Sequence, residues 1–206
     1  MVIQGEALPS FDCWCPIGSL ARVFQTTLLT VPGNVPYIGP RDEKIAKWAK
    51  MLPDTGKNLK VGLAWADPER VPALGERPLS VDRLTPLSGM SGVSLFNLQH
   101  LEHPLPEAMK VTPLKEDPKS LHDTAALIQH LDVVVGTDTA AAHVAAAMGK
   151  KAFILIPSTP DWRWMRDRED SPWYPSVRLF RQGSAAGWGG TVEKLIEALK
   201  AEIPPG

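Results

Sequence analysis

From residue 60 onward, short apolar runs alternate with segments of helical periodicity. Each apolar run has the length and β-branched content of a strand, and each segment between or after them has the spacing of a helix covered on one side. Strands are predicted at residues 60–66, 93–99, 109–112, 132–136, 151–156 and 176–180, and helices at residues 81–87, 121–131, 139–148 and 191–201. Such alternation predicts an α/β fold with a doubly wound, parallel, Rossmann-like sheet, for which 3-2-1-4-5-6 is the commonest strand order.

The first forty residues follow neither pattern. They contain five prolines and only short apolar stretches, so they cannot bury a core alone. We interpret residues 1–40 as an appendage, or as the remnant of an N-terminal domain. Residues 41–206 form the predicted Rossmann-like domain, which begins with a helix at about residues 41–51. Apolar side chains such as Phe11 and Trp14 need a surface to cover, which predicts packing on that domain or self-association through residues 1–40.

Composition narrows the partners and the compartment. The formal net charge of the 206 residues is -1, so no overall field attracts nucleic acid or an anionic membrane. Charged residues interrupt the longest apolar region, so no membrane span is expected. The only cysteines, Cys13 and Cys15, are expected to be reduced, partly buried thiols of a cytoplasmic protein; a reactive or metal-binding pair is the alternative. The histidines outside residues 132–149 lack the spacing of metal ligands, and neither a metal nor a cofactor is predicted.

The strongest motif is the strand, turn and alanine-rich helix of residues 132–149, DVVVGTDTAAAHVAAAMG. The small residues of the turn let a phosphate approach the backbone, and the free N–H groups of the first helical turn favour negative charge. The histidine of the helix lies one turn after the threonine that begins it, within reach of a diphosphate. A helix cap and a core histidine are the alternative interpretation. The binding candidates here are Gly136, Thr137, Asp138, Thr139 and His143.

The predicted strand order places this turn beside the loop at residues 66–77, where the order of strands reverses. Ligands of open α/β sheets bind at such a point, outside the carboxyl ends of the strands. Gln99 ends the second predicted strand, where a ribose is often bound, although a solvated strand-end glutamine is equally consistent. No Gly-x-Gly-x-x-Gly follows the first strand, which disfavours a nicotinamide-binding domain.

A second cluster occupies residues 161–174, which hold three tryptophans, a tyrosine and three arginines among four acids. Aromatic rings and guanidinium groups on one loop are typical of sugar or phosphate binding, or of docking to a facing domain. Ion pairs between these arginines and the neighbouring acids, which would make the loop rigid, are the alternative.

Several stretches resemble glycosyltransferase family nine, the heptosyltransferases. The motif DTAALIQHLDVVVGTDTAAAHVAAAMGK carries an Asp-Thr-x-x-x-His element at the strand-to-helix turn. The rest is still more similar to the glycosyltransferase-like C-terminal region of bacterial tetratricopeptide-repeat proteins. That similarity lies in FDCWCPIGSL, TVPGNVPYI, VGLAWA and DWRWMRDREDSPWYP.

The resemblance implies the C-terminal, donor-binding half of a GT-B fold with a nucleotide sugar or nucleoside diphosphate as ligand. It places Asp138, Thr139 and His143 around the sugar and diphosphate, and Trp65 and Arg77 beside them. Trp65-Ala66-Asp67-Pro68 lacks the glycine and asparagine usual in relatives, which weakens the expectation of nucleotide contacts from that loop.

Inverting sugar transfer also needs a general base, which the family takes from its N-terminal domain. No residue of this chain is assigned as the base. We therefore expect a donor-binding half that is not catalytically complete alone, with a non-catalytic binding or scaffold domain as the alternative.

Overall fold

The chain divides by contacts into two units, Met1–Pro32 and Gly33–Gly206, which places the division earlier than residue 40. A computed structural model describes residues 5–65, 79–99, 105–183 and 187–205. Within the first unit, a 3-10 helix at Ile17–Ser19 leads into the single-turn helix α1, Leu20–Val23, and residues 5–32 contain no strand. Cys13 and Cys15 are free and exposed, so the prediction of partly buried thiols is wrong.

The second unit is built on a parallel sheet, as predicted. Its strands are β1 (Leu59–Ala64), β2 (Val93–Asn97), β3 (Val133–Gly136), β4 (Lys151–Ile156) and β5 (Val177–Arg181). Their order is β2-β1-β3-β4-β5, and every neighbouring pair is parallel. From β1 the chain moves to β2 on one side and then returns to β3 on the other. The strand order therefore reverses between β1 and β3, which confirms the predicted point of reversal.

The sheet of the described residues has five strands, so the prediction of six is wrong. Residues 109–112, the expected third strand, make one backbone hydrogen bond to the sheet, from Thr112 N to Leu95 O at 2.6 Å. Pro113 follows immediately, and proline is depleted in strands, so this short run is a poor strand former. Without that strand, the predicted order is the observed one.

Helices cover both faces of the sheet. The helices α2 (Asp42–Met51), α3 (Leu121–Ile128) and α4 (Ala140–Ala147) pack on one face, and α5 (Gly189–Lys200) packs on the other. Beside α5 lies Val81–Gly89, which is a 3-10 helix and not the α-helix that the periodicity predicts. Pro86 lies inside it and lacks the N–H that an α-helical turn would use. The doubly wound arrangement is confirmed.

Candidate functional site

The turn between β3 and α4 lies where the strand order reverses. Thr139 is the N-cap of α4, and its Oγ1 accepts a hydrogen bond from Ala142 N at 3.3 Å. The N–H groups of the first turn that remain have no acceptor within the helix. This end of α4 therefore offers backbone donors and the positive end of a helix dipole at the carboxyl edge of the sheet.

The neighbouring strand leaves no room for a side chain at Gly136. A Cβ at this position would lie 2.0 Å from the carbonyl oxygen of Ala64, the last residue of β1. The next residue, Thr137, donates its N–H to the same carbonyl at 3.1 Å. The glycine thus allows β1 and β3 to stay close where the turn begins, so its presence is explained by packing and not by the approach of a phosphate.

His143 holds two side chains together. Its Nε2 lies 2.8 Å from Oδ1 of Asp138, and its Nδ1 lies 3.1 Å from the hydroxyl of Tyr174. Its ring stacks on the buried indole of Trp164, with 5.2 Å between centroids and 22° between planes. Both ring nitrogens are therefore engaged within the protein, and His143 orients Asp138 instead of presenting a free nitrogen to a ligand.

The electrostatics of this cluster favour an ionised Asp138. Burial raises the pKa of its carboxyl, but the hydrogen bond from His143, the Trp164 indole N–H and the positive charges of His143 and Arg163 together lower it below its ordinary value. The Trp164 indole N–H acts in this way although it forms no hydrogen bond of normal geometry. The Asp138 side chain is 37% exposed, so a carboxylate that accepts hydrogen bonds is within reach of a ligand.

Tyr174 keeps its proton. Burial raises the pKa of its hydroxyl, and the nearby Tyr37 hydroxyl raises it further. An ionised Asp138 can only accept, so Nε2 of His143 carries a hydrogen, and in the neutral ring Nδ1 then accepts from the Tyr174 hydroxyl. One tautomer thus satisfies all three groups.

The loop of residues 161–175, which we call the aromatic loop, supplies Trp164 and Tyr174. Arg163 pairs with Asp161 at 2.7 Å, and Arg168 forms two bonds with Asp170, at 2.7 and 2.6 Å. At the end of β5, Arg181 donates to the carbonyls of Arg168, Met165 and Trp164. The predicted pairing of the loop's arginines with neighbouring acids is present for Arg163 and Arg168.

The remaining candidates lie in different places. Trp65 is 3% exposed and belongs to the buried cluster that includes side chains of α5 and the 3-10 helix, on the face opposite α4. Its side chain belongs to the core, so a direct ligand contact would require it to leave that position. Gln99 is half-buried, two residues beyond β2 and two strands from β3 along the same edge. Arg77 and the rest of the loop at residues 66–77 lie outside the described residues.

Sequence reasoning overlooked two parts of this site. Tyr174 and Trp164 were expected only as members of an aromatic cluster, and Tyr37 was not singled out. Tyr174 lies 31 positions after His143, and no periodic pattern in the sequence connects the two residues. The aromatic content of residues 161–174 was the one available signal.

Other sites are sparse in the part of the chain that the structure describes. No group of three or more histidine, cysteine or acidic residues there is placed to hold a metal ion. None of the helices described is long and apolar enough to cross a membrane. A cavity of about 330 Å³ lies at the opposite, amino edge of the sheet, between Lys60, His130 and the segment after α2.

Comparison with known proteins agrees with this architecture. Residues 99–185, which include the turn, His143 and the aromatic loop, match the model of glycosyltransferase family 9 (heptosyltransferase). This part of the chain is similar to family 9 glycosyltransferases. A family 9 glycosyl transferase from Veillonella parvula DSM 2008 has a similar crystal structure, with a TM-score of 0.60 and 17% identity. The similarity covers 81% of this chain and 53% of that one, and at this identity it shows the fold alone.

A curated relative matches more of the chain by sequence. Protein FlbA of Caulobacter vibrioides (strain ATCC 19089 / CIP 103742 / CB 15) is 30% identical over 207 residues, which cover 92% of this chain. The aligned region is 33% of FlbA, so the chain spans about a third of the length of that relative.

Proposed function

We propose that the family 9-like domain binds a nucleotide sugar, as the donor-binding half of a glycosyltransferase. The observation that carries the proposal is the position of the Asp138–His143 pair at the start of α4, beside the point where the strand order reverses. Backbone donors for a diphosphate and a half-exposed carboxylate for sugar hydroxyls lie next to each other there. The family match over residues 99–185 includes both.

The charges available fit a weak site. One helix N-terminus contributes about 0.5 to 2 kcal/mol toward an anion, so a diphosphate needs further cations. Arg163 acts on Asp138 through its charge and is a candidate, and Arg77 is a second one from the sequence alone. A binding free energy of about 4 kcal/mol corresponds to a dissociation constant of roughly 1 mM. That range suits a domain whose cleft is closed by a facing domain.

The remaining expectations belong to this proposal. The sequence assigns no general base for an acceptor hydroxyl, so we infer a domain that is not catalytically complete alone. Association with tetratricopeptide repeats and self-association through residues 1–40 are proposed from the sequence resemblance and composition.

A non-catalytic binding or scaffold domain is the second candidate. It is favoured by the engagement of both His143 nitrogens within the protein, because such a histidine needs no ligand to be satisfied. Trp65, which the resemblance places at the donor site, is likewise accounted for by core packing.

Calorimetry with matched ligands separates the two. Each nucleotide sugar of a panel is titrated beside its own nucleoside diphosphate, into the parent protein and Asp138→Ala. A carboxylate repels phosphate and accepts from hydroxyls, so the variant should weaken the sugar conjugate about tenfold and the bare diphosphate by less than about twofold. Glu193→Gln, an exposed acid of α5, is the control and should change neither. Equal losses for both ligands, or no heat of binding with the parent, would favour the scaffold.

A further inference from the structure

Trp162 is the most exposed of the tryptophans that the structure describes in the second unit. It is 64% exposed, whereas Trp48, Trp65, Trp164 and Trp188 are buried. Its ring meets the edge of Trp173, with 5.8 Å between centroids, and the guanidinium of Arg163 lies 4.7 Å from its centroid. These contacts leave most of an indole surface open to solvent, where its apolar area is not used for folding.

Hydrogen bonds from β5 hold the conformation of the aromatic loop that exposes Trp162. Arg181 ties together three backbone carbonyls of the aromatic loop, as described above. Within the same loop, Met165 and Asp167 have φ angles of 53° and 57°, in the left-handed region that such residues rarely adopt. Backbone strain of this kind persists where surrounding contacts enforce it, and it concentrates at binding sites. The aromatic loop is therefore preorganised, which reduces the conformational entropy that ligand binding would cost.

The aromatic loop borders the Asp138–His143 pair. Trp164, two residues beyond Trp162, stacks on His143, and Arg163 between them lowers the pKa of Asp138 through its charge. Tyr37, which is 59% exposed, acts on the Tyr174 hydroxyl that meets His143. An exposed indole and a half-exposed carboxylate thus belong to neighbouring parts of the site, which Trp164 and Arg163 connect.

We propose that Trp162 is a stacking platform for a sugar ring whose hydroxyls donate to Asp138. The apolar C–H face of a pyranose covers the exposed indole, while the carboxylate, held by His143, accepts from the ring's hydroxyl groups. A few directed polar groups beside aromatic surface are the usual composition of a small-molecule site. This inference rests on the proposed donor-binding function and adds the position of the sugar. The ring belongs either to the donor conjugate or to a free saccharide acceptor.

The test compares ligands with and without a sugar ring on the full chain. UDP-glucose, UDP-N-acetylglucosamine, GDP-mannose and ADP-glucose are each titrated beside UDP, GDP or ADP, and chitobiose and maltose serve as free saccharides. The variants are Trp162→Ala and Trp162→Phe, with Lys194→Ala on α5 as the control. Trp162→Ala should weaken every ligand that uses the platform about tenfold, as truncation of a central aromatic contact does, and Trp162→Phe should restore much of the loss.

The pattern of losses identifies the sugar. A loss confined to nucleotide sugars, with the bare diphosphates unchanged, assigns the platform to the donor's ring, whereas a loss for chitobiose or maltose assigns it to an acceptor. Equal losses for conjugate and diphosphate would overturn the proposal, and so would a parent protein that binds no sugar-containing ligand. Binding of the bare diphosphates reports separately on the donor-site function. Saccharide binding that depends on Trp162 without any diphosphate binding would reject that function alone.

Discussion

Nε2 of His143 lies 2.8 Å from Oδ1 of Asp138, and the two residues flank the N-cap of α4. Asp138 precedes the cap and His143 is the fourth helical residue, the two positions that an apolar pair often occupies to set the angle at which a chain enters a helix. Here a polar pair occupies them. The same contact therefore sets the entry of α4 and aims a carboxylate at the edge of the sheet.

The tautomer of His143 follows from this contact and is measurable. Long-range ¹⁵N–¹H spectra of the parent protein at pH 8 should show the hydrogen on Nε2, because the ionised Asp138 can only accept. Tyr174→Phe should keep this tautomer but lower the free energy of unfolding by about 1 kcal/mol, since Nδ1 loses its donor. Asp138→Ala should remove the tautomer preference, because a hydroxyl can donate or accept. A parent spectrum with the hydrogen on Nδ1 would contradict the arrangement.

Gly136→Ala tests the packing at the end of β1. The added Cβ would lie 2.0 Å from Ala64 O, a backbone atom of a paired strand that cannot move aside cheaply. We expect the free energy of unfolding in denaturant to fall by more than about 2 kcal/mol. Gly190→Ala is the matched control, because nothing lies within 4 Å of its Cβ position at the start of α5. It should be neutral or stabilising by less than about 1 kcal/mol. Equal stability of the two variants would show that the strands separate easily here.

Asp123 should make the fold sensitive to acid. This buried carboxylate accepts from Lys44 Nζ at 2.7 Å, Ser120 Oγ at 2.9 Å and Trp48 Nε1 at 3.4 Å. The Lys44 bond is the main reason that its pKa falls from 3.8 to about 2. The unfolded chain then binds the proton more readily, so the stabilisation is complete above about pH 4 and is lost as the pH falls toward 2.

Denaturant unfolding between pH 2 and 7 measures this contribution. Asp123→Ala should cost about 2 kcal/mol at pH 7, since it leaves Lys44 and the Trp48 indole without their acceptor. The difference from the parent should shrink as the pH falls below 4, whereas Glu193→Gln should stay within about 0.5 kcal/mol of the parent throughout. A difference between parent and Asp123→Ala that did not change with pH would show that the ionised form is not what stabilises the fold.

The sequence by itself determined the α/β class, the strands on either side of the reversal and the helix after Gly136. Continuous apolar runs such as residues 133–135 and 153–156 are informative because burial on both faces leaves no polar position. Local patterns were insufficient at residues 109–112, a short run that ends against Pro113, and at Val81–Gly89, where Pro86 disfavours the α-helix.

Only the tertiary structure decided what the side chains of the site do. His143 meets Tyr174 across 31 positions, and Arg181 of β5 meets the carbonyls of the aromatic loop at least 13 positions away. Contacts between such distant positions follow from how loops return to the sheet edge, and no periodicity in the sequence records them. The burial of Trp65 has the same origin. Trp65 directly follows the last residue of β1, and it belongs to a buried cluster whose other members include distant residues of α5 and the 3-10 helix.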